Sequence, residues 1–332
     1  MDLFLSSYGT YLHVREGMFE VSIPAQDGQP ARKQQVAAKR VRTIVMGTSG
    51  ALSTDAIQLA LEHNVDILFA DRGGDPIGRV WHPKLGSTTS IRKRQLEASL
   101  SNVGVRHVCA WLTEKLDRQA RLLEHLRKHR DKDRARIDER AAEIRGYADK
   151  LAALADAPTI DEVADTIRGL EGTAGRRYFE LLSGLTPKRY RFSGRSMRPA
   201  ADAFNAYLNY GYAILYNRVE KALMIAGVEP YLGFLHRDGY NQKSMIFDFI
   251  EPYRVYVDHV VFRLFAGKRV NDQCFAGIPQ GVTLEKPGKQ QLVEALYKYL
   301  DEDKTRHRGR NVTRQHGLQL DAHRFANELI GR

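Results

Sequence analysis

The sequence predicts an α+β protein, with a small β-rich domain over residues 1–84 followed by a larger all-α domain over residues 91–332. Three observations lead to this prediction. The first eighty or so residues contain apolar runs of strand length and alternating apolar and polar positions. From Ile91 onward, apolar residues recur at helical spacing instead. The cluster HPKLGSTTS at 82–90 separates the two patterns, and we expect residues 85–90 to form the linker.

The strands of the first domain can be read in order. TYLHVREGMFEVSI alternates on either side of Glu16 and Gly17, which predicts a hairpin. VRTIVMG and VDILFAD are two further strands, and STDAIQLALEHN between them has the start signal and apolar spacing of a short helix. RGGDPIGRVW then predicts a turn and a last strand.

The second domain reads as a series of helices. Thr159 and Glu162 form a capping-box pattern at the start of TIDEVADTIRGLEGTAGRRYFELLSGL. The other helical segments are IRKRQLEASL, VRHVCAWLTEKLDRQARLLEHLRKH, ARIDERAAEIRGYADKLAAL, AADAFNAYLNYGYAILYNRVEKALMIAG, SMIFDFIEPYRVYVDHVVFRLFAG and QQLVEALYKYLDED.

Composition narrows the class of protein. The chain has 332 residues and no apolar run long enough to span a bilayer, and we expect no signal peptide and no membrane partner. Cys109 and Cys274 lie far apart without a CxxC pair, which argues against a zinc site and a disulfide framework and fits a reducing cytoplasm. With 51 Lys and Arg against 40 Asp and Glu, the net charge of +11 slightly favours nucleic acid as a partner over simple solubility.

The stretch HRDGYNQKSMIFDFIEPYR, residues 236–254, places two carboxylates beside an apolar helical stripe. Asp248 and Glu251 are three residues apart and therefore share a face. Their repulsion requires a positive partner, and a divalent cation and Arg254 are about equally good candidates. Pro252 either kinks a continuous helix beside Asp248 or lies in the first turn of a new one.

Two further residues could complete a metal site. His236 precedes the carboxylates by twelve and fifteen residues, across a turn that is long enough to bring them face to face. Glu171 is followed by Gly172 and Gly175, which would let a substrate or another backbone come close. A structural histidine and an ordinary surface acid are the alternative readings. One histidine with carboxylates suits Mg²⁺ or Mn²⁺ better than zinc.

The segment 176–198 and its surroundings carry most of the candidate DNA contacts. Its aromatic residues are either core residues or platforms for bases, and we expect a mixture of core aromatics and a free basic loop over residues 187–198. The helix NAYLNYGYAILYN is expected to form a wall of the site, and DKTRHRGRNVTR is a second basic patch or a mobile tail. The residues that we expect to bind DNA are Arg176, Arg177, Lys188, Arg189, Arg191, Arg195, Arg198, Arg237 and Arg254.

Four motifs together resemble one known family. LEGTAGRRYF, FNAYLNYGYAILYNRVEKAL, YLGFLH and SMIFDFIEPYRVYVDHVV occur in this order, at similar spacings, in the CRISPR-associated integrase of spacer acquisition, the Cas-one family. The resemblance implies an N-terminal β-rich dimerisation domain and a helical catalytic domain. It also implies that Glu171, His236 and Glu251 are catalytic residues that bind a divalent metal, with Asp248 on a further acidic position beside them.

The function implied by this resemblance is the insertion of short foreign DNA fragments into a repeat array. A DNA 3′-hydroxyl would attack a phosphodiester with the help of Mg²⁺ or Mn²⁺. The implied partners are double-stranded DNA with 3′ ends, CRISPR repeat DNA, a second copy of the chain, and a small ferredoxin-fold adaptation protein that bridges two dimers. A stand-alone metal-dependent nuclease and a non-catalytic DNA-binding scaffold are the alternatives.

Overall fold

The computed structural model describes residues 2–5, 7–26, 28–41, 43–47, 49–63, 65–70, 76–80, 88–128, 130–197, 199–236 and 242–332. The chain divides into two compact units, residues 1–86 and residues 87–332. A β-rich unit followed by a mostly helical unit confirms the predicted fold class.

The first sheet of the N-terminal unit is built around the predicted hairpin. Its order is β4-β3-β2-β6, with β2 and β3 antiparallel and β2 and β6 parallel. Glu16 and Gly17 both adopt positive φ angles, 52° and 72°, as a tight two-residue hairpin turn requires. The strands are β2 (Tyr11–Arg15), β3 (Met18–Ile23), β4 (Arg32–Val36) and β6 (Ala51–Leu52).

The second sheet has the order β1-β5-β7-β8, in which only β8 pairs antiparallel. Helix α1 (Thr54–Glu62) lies between β6 and β7 in the chain, and the Ser53 side chain caps it by accepting from the Ala56 N–H. Leu12, Phe19 and Ile44 are among the residues in the buried core of this unit. The strands are β1 (Asp2–Leu5), β5 (Thr43–Met46), β7 (Asp66–Ala70) and β8 (Pro76–Val80).

The C-terminal unit is a set of helices packed around one large apolar core. The long helices α3, α4 and α5 pack against one another, and α6 packs against α8 and α10. Among the described residues, no helix is both long and apolar enough to cross a membrane. The helices are α2 (Thr88–Ser99), α3 (Asn102–Arg127), α4 (Arg134–Ala152), α5 (Ile160–Leu185), α6 (Ala203–Ala226), α7 (Ser244–Phe249), α8 (Arg254–Ala266), α9 (Lys286–Tyr297) and α10 (Arg314–Leu329).

Two short antiparallel hairpins also occur in this unit, and the sequence patterns did not predict them. The first joins β9 (Phe275–Ile278) and β10 (Gly281–Leu284). The second joins β11 (Lys304–His307) and β12 (Arg310–Thr313) directly before α10. The basic patch in DKTRHRGRNVTR is therefore an ordered hairpin and not a mobile tail.

The chain around Pro252 changes direction in two steps. Helix α7 ends at Phe249, a 3-10 turn covers Glu251–Tyr253, and α8 begins at Arg254. Pro252 lies in the first positions of the 3-10 turn, where a missing amide hydrogen costs little. Asp248 and Glu251 thus belong to different elements and not to one kinked helix.

Candidate active site

Glu171, His236 and Glu251 meet at one cavity of about 930 Å³ in the C-terminal unit. Glu171 comes from α5, His236 from the segment between α6 and α7, and Glu251 from the 3-10 turn. Gly172 and Gly175 also line the cavity, and a Cβ atom at either position would meet nothing within 4 Å. The small residues after Glu171 therefore leave open space beside its carboxylate.

A lysine that sequence reasoning missed joins the two glutamates. The Lys115 ammonium lies 2.6 Å from Glu171 Oε1 and 2.6 Å from Glu251 Oε2. Lys115 is buried on α3, next to the buried apolar residues Leu112 and Leu116. Burial opposes its charge, but the two carboxylates raise the pKa of Lys115 to about 12, so the ammonium is charged at neutral pH.

Glu251 has a second cationic partner in Arg254. The Arg254 Nε donates to Glu251 Oε1 at 2.8 Å, and its Nη2 donates to the Tyr216 hydroxyl at 2.9 Å. The guanidinium also lies over the rings of Tyr212 and Tyr216. Burial would raise the pKa of Glu251, but Arg254 and Lys115 outweigh it and hold the pKa below the usual range. The Arg254 ion pair, one of the two candidate partners of the carboxylates, is therefore present.

Asp248 does not line the cavity and holds the backbone in front of His236. Its Oδ2 accepts from the N–H groups of Phe234 and Leu235 at 2.6 and 3.0 Å. Its Oδ1 lies 3.2 Å from the His236 amide nitrogen and 2.6 Å from the ring Nδ1. Because a carboxylate oxygen accepts, the Nδ1–H of His236 donates to Asp248, and in the neutral ring the lone pair is on Nε2.

The same contacts shift the pKa of His236. Burial lowers its pKa, but the hydrogen bond to Asp248 and the charges of Asp248, Glu251 and Glu171 together raise the pKa above 6.5. The imidazole is only partly buried and faces the cavity. This combination, a fixed Nδ1 and an accessible Nε2, is the usual arrangement of a metal-binding histidine.

The donor set fits a hard divalent cation if Lys115 moves. Two carboxylates and one imidazole are suitable ligands for Mg²⁺ or Mn²⁺. Glu251 Oε2 is buried without a hydrogen bond of acceptable geometry, although the Lys115 ammonium is within ion-pair distance. As the side chains of the described residues stand, no three His, Cys, Asp or Glu groups are close enough to bind a metal, and the Lys115 ammonium contacts both glutamates.

Comparison with known proteins identifies the family of the chain. The family model described as CRISPR associated protein Cas1 matches residues 3–298. The CRISPR-associated endonuclease Cas1 1 of Archaeoglobus fulgidus is 32% identical over 322 residues, which cover 94% of this chain and 91% of that protein. The chain belongs to the Cas1 family. The resemblance read from its four motifs is therefore confirmed.

Solved structures with this fold align with the Cas1 chain over nearly its whole length. A casposase bound to an integration product aligns with a TM-score of 0.72 and 23% identity, over 99% of this chain and 90% of that one. A partial Cas6-RT-Cas1–Cas2 complex aligns with a TM-score of 0.71 and 19% identity, over 100% of this chain and 96% of that one. At these identities, the likeness shows a shared fold.

The basic residues that line the cavity of this Cas1 chain include both exposed and half-buried side chains. Arg176 and Arg177 are exposed on α5 and line the cavity, and Arg177 also pairs with Glu143 at 3.2 Å. Arg195 is half-buried in the wall, where it donates to the Asn205 and Asn209 side chains. These asparagines thus fix the segment before α6, in keeping with the prediction that their helix forms a wall of the site.

The basic loop after α5 is partly packed. Lys188, Arg189 and Arg191 are exposed, and Arg189 pairs with Asp272. Phe192, however, is buried and stacked on Phe204, so this aromatic belongs to the core and is not free for bases. Arg198 and Arg237, which were also expected to contact DNA, lie outside the described residues.

Proposed function

We propose that this Cas1 chain is a metal-dependent DNA endonuclease and integrase that inserts short foreign DNA fragments into a CRISPR repeat array. The observation that carries the proposal is the meeting of Glu171, His236 and Glu251, from three separate elements, at one cavity with basic walls. The name of the Archaeoglobus relative as an endonuclease supports the class of chemistry.

The metal in this proposal is Mg²⁺ or Mn²⁺, held by Glu171, His236 and Glu251. When bound, such an ion polarises a phosphodiester and stabilises charge on the attacking or leaving oxygen. Asp248 keeps His236 Nε2 available through the contact to Nδ1. Arg254 keeps Glu251 ionised and oriented. Lys115 supplies positive charge between the glutamates, and a bound metal would supply it in place of the ammonium.

The attacking group decides which product forms. If a DNA 3′-hydroxyl attacks, it loses its proton, a new phosphodiester forms and the 3′-oxygen of the target strand leaves. If water attacks, the same bond breaks and the strand is only cut. Arg176 and Arg177 are the proposed contacts to the DNA backbone, and their exposure at the cavity wall supports this role.

The working unit in this proposal is larger than one chain. Joining both 3′ ends of a fragment requires two sites, and each chain supplies one. The N-terminal β-rich domain, residues 1–84, is the proposed dimerisation domain, and residues 91–332 form the catalytic domain. A small ferredoxin-fold protein would bridge two dimers, and the presence of Cas2 in the partial complex with the same fold is compatible with this assembly.

Isosteric substitutions test the site. Glu171→Gln and Glu251→Gln should each abolish strand transfer of a labelled fragment into a plasmid with a repeat array, whereas Glu294→Gln on the exposed face of α9 should not. Fragments without joined strands in the parent protein would indicate the stand-alone nuclease. DNA binding by the parent protein and both site variants, with neither joined nor cut strands in any of them, would indicate the non-catalytic scaffold.

A further inference from the structure

A second cavity, of about 1100 Å³, lies beside a different face of α3 from the candidate active site. Glu114, Arg118 and Arg121 of α3 line this second cavity, whereas Lys115 and Gln119 line the first. The remaining walls come from α8, the β11–β12 hairpin and α10. None of the residues assigned to the metal site lines it.

The lining of the second cavity has an excess of positive charge. Three of its four acids already have partners: Asp321 accepts from Tyr253 and Arg308, Glu328 from Arg324, and Glu114 from Arg118. Eight basic side chains face these four acids. The basic residues are Arg118, Arg121, Arg263, Lys304, Arg306, Arg308, Arg314 and Arg324, and the acids are Glu114, Asp303, Asp321 and Glu328.

Four of the basic residues have no carboxylate partner among the described residues. Arg263, Lys304 and Arg306 are exposed and form no ion pair. Arg314 is fixed differently: its Nη1 donates to the backbone carbonyls of Tyr299 and Asp303 at 3.0 and 3.2 Å, and its guanidinium lies 3.7 Å from the centre of the Tyr299 ring. Its charge is therefore held in place but not neutralised.

The inner wall contains His259, whose pKa is lowered in part by neighbouring positive charges. His259 stacks on Tyr299 with ring centres 4.9 Å apart. Burial lowers its pKa first, and Arg263, His125 and Arg314 lower it further, to about 4. The wall behind the arginines is thus neutral and aromatic at physiological pH, and His259 adds no positive charge of its own there.

We propose that the second cavity binds the phosphodiester backbone of a DNA strand, at a distance from the chemistry. The inference rests on the proposed DNA-processing function and adds a contact that the metal site does not require. Arginine side chains without a carboxylate partner are the usual contacts for phosphate groups. Arg118 connects the two regions, because its Nη1 donates to the carbonyl of Pro252, next to Glu251.

A triple variant of the exposed residues, Arg263→Ala, Lys304→Ala and Arg306→Ala, tests the proposal in the full chain. The measurement is the affinity for a labelled single-stranded oligonucleotide as a function of salt. Each phosphate contact contributes a slope of about 0.7 for single strands, so the variant should lose about two units of slope. Between about 50 and 200 mM salt, the affinity of both proteins falls. The factor by which it falls should be about 18 times smaller for the variant than for the parent protein.

A matched control separates a local contact from a general effect of charge. Lys150→Ala, Lys286→Ala and Lys289→Ala remove the same charge from exposed positions outside both cavities. The control should keep the parent slope. Equal changes in both triple variants, or no change in either, would overturn the proposal. If the parent protein does not bind DNA at all, the proposed function itself fails, which is a different result.

Two competitors identify the source of the phosphate. Inorganic phosphate and a single nucleotide should compete with the oligonucleotide only weakly, because each offers few of the contacts that a strand offers. A nucleotide that binds the parent protein tightly and the cavity variant poorly, with an unchanged slope for DNA, would assign the cavity to a free nucleotide and overturn the proposal. Equally strong competition by a poly-glutamate peptide would assign it to an acidic protein segment.

Discussion

Replacing Lys115 with methionine removes the charge between Glu171 and Glu251 and keeps an unbranched side chain of similar length. The ammonium contacts both carboxylates at 2.6 Å, and the side chains of Lys115 and Glu251 are only 10% and 5% exposed. Lys115→Met therefore leaves a buried glutamate with one cationic partner in place of two. We expect a clear loss of stability in the metal-free protein.

The size of this loss follows from the surroundings of each carboxylate. Breaking a buried ion pair by removing one partner costs about 3–5 kcal/mol. Arg254 stays on Glu251 Oε1, and Glu171 is 27% exposed, so water screens part of its charge. The expected loss in the free energy of unfolding is therefore at the lower end, about 3 kcal/mol.

Divalent metal should reverse most of this loss. In the parent protein, Mn²⁺ has to displace the ammonium before it reaches both carboxylates, whereas in Lys115→Met the carboxylates are free. A ligand present at 100 times its Kd stabilises the folded state by about 2.7 kcal/mol. We expect the difference between variant and parent to fall by at least half in Mn²⁺, and Mn²⁺ to bind the variant more tightly.

Urea denaturation with and without MnCl₂, together with Mn²⁺ titration followed by electron paramagnetic resonance, measures both effects. Lys289→Met, at an exposed position on α9, is the control and should change stability by less than about 0.5 kcal/mol. If Lys115→Met is as stable as the parent protein without metal, or binds Mn²⁺ no better, the ammonium does not hold the site in this way.

Three other changes test separate parts of the structure. Asp248→Asn should weaken strand transfer less than Glu171→Gln does, because an amide still accepts from the backbone of residues 234–236, and equal loss in both would contradict a positioning role. Reversing the loop charges with Lys188→Glu, Arg189→Glu and Arg191→Glu should weaken binding of all DNA sequences alike and reduce the salt slope, and an unchanged slope would place the DNA elsewhere. Burial raises the pKa of Asp258 from 3.8 to about 6, against the hydrogen bonds from Tyr212 and Tyr178, so its contribution to stability is full below pH 3.8 and declines as the pH rises to 6. Asp258→Asn should remove this decline in urea denaturation across that range, and an unchanged pH profile would contradict the assignment.

The predicted dimer has its own test. Light scattering of the purified chain at micromolar concentration should give twice the 37.7 kDa mass of one chain. A single-chain mass would contradict the dimer, and with the partner protein present, products joined at only one end would contradict the paired-site arrangement.

The parts of the fold that sequence predicted are those with apolar periodicity. The hairpin around Glu16 and Gly17, helix α1 and the long helices follow directly from such patterns. Strand β4 was missed because its sequence RKQQV is exposed except at Val36. Strands β11 and β12 are similarly rich in charged and polar residues and depend on pairing with each other, which periodicity along one segment does not reveal.

The candidate active site shows a different limit of prediction from sequence. Sequence spacing put Asp248 and Glu251 on one face, but the helix ends between them, so that one carboxylate faces the backbone before His236 and the other faces the cavity. The three proposed ligands were identified by resemblance to a family. Lys115 lies 56 residues before Glu171, too far for a spacing argument. Its one signal was a lysine within the apolar stripe of α3, next to Leu112 and Leu116.

The 3-10 turn that carries Glu251 is held by contacts at both cavities. On one side, Lys115 and Arg254 bind its carboxylate. On the other, Arg118 donates to the carbonyl of Pro252, and the Tyr253 hydroxyl donates to Asp321. A DNA phosphate in the second cavity would compete with that carbonyl for Arg118. Arg118 and the 3-10 turn thus form a direct polar connection between the two cavities.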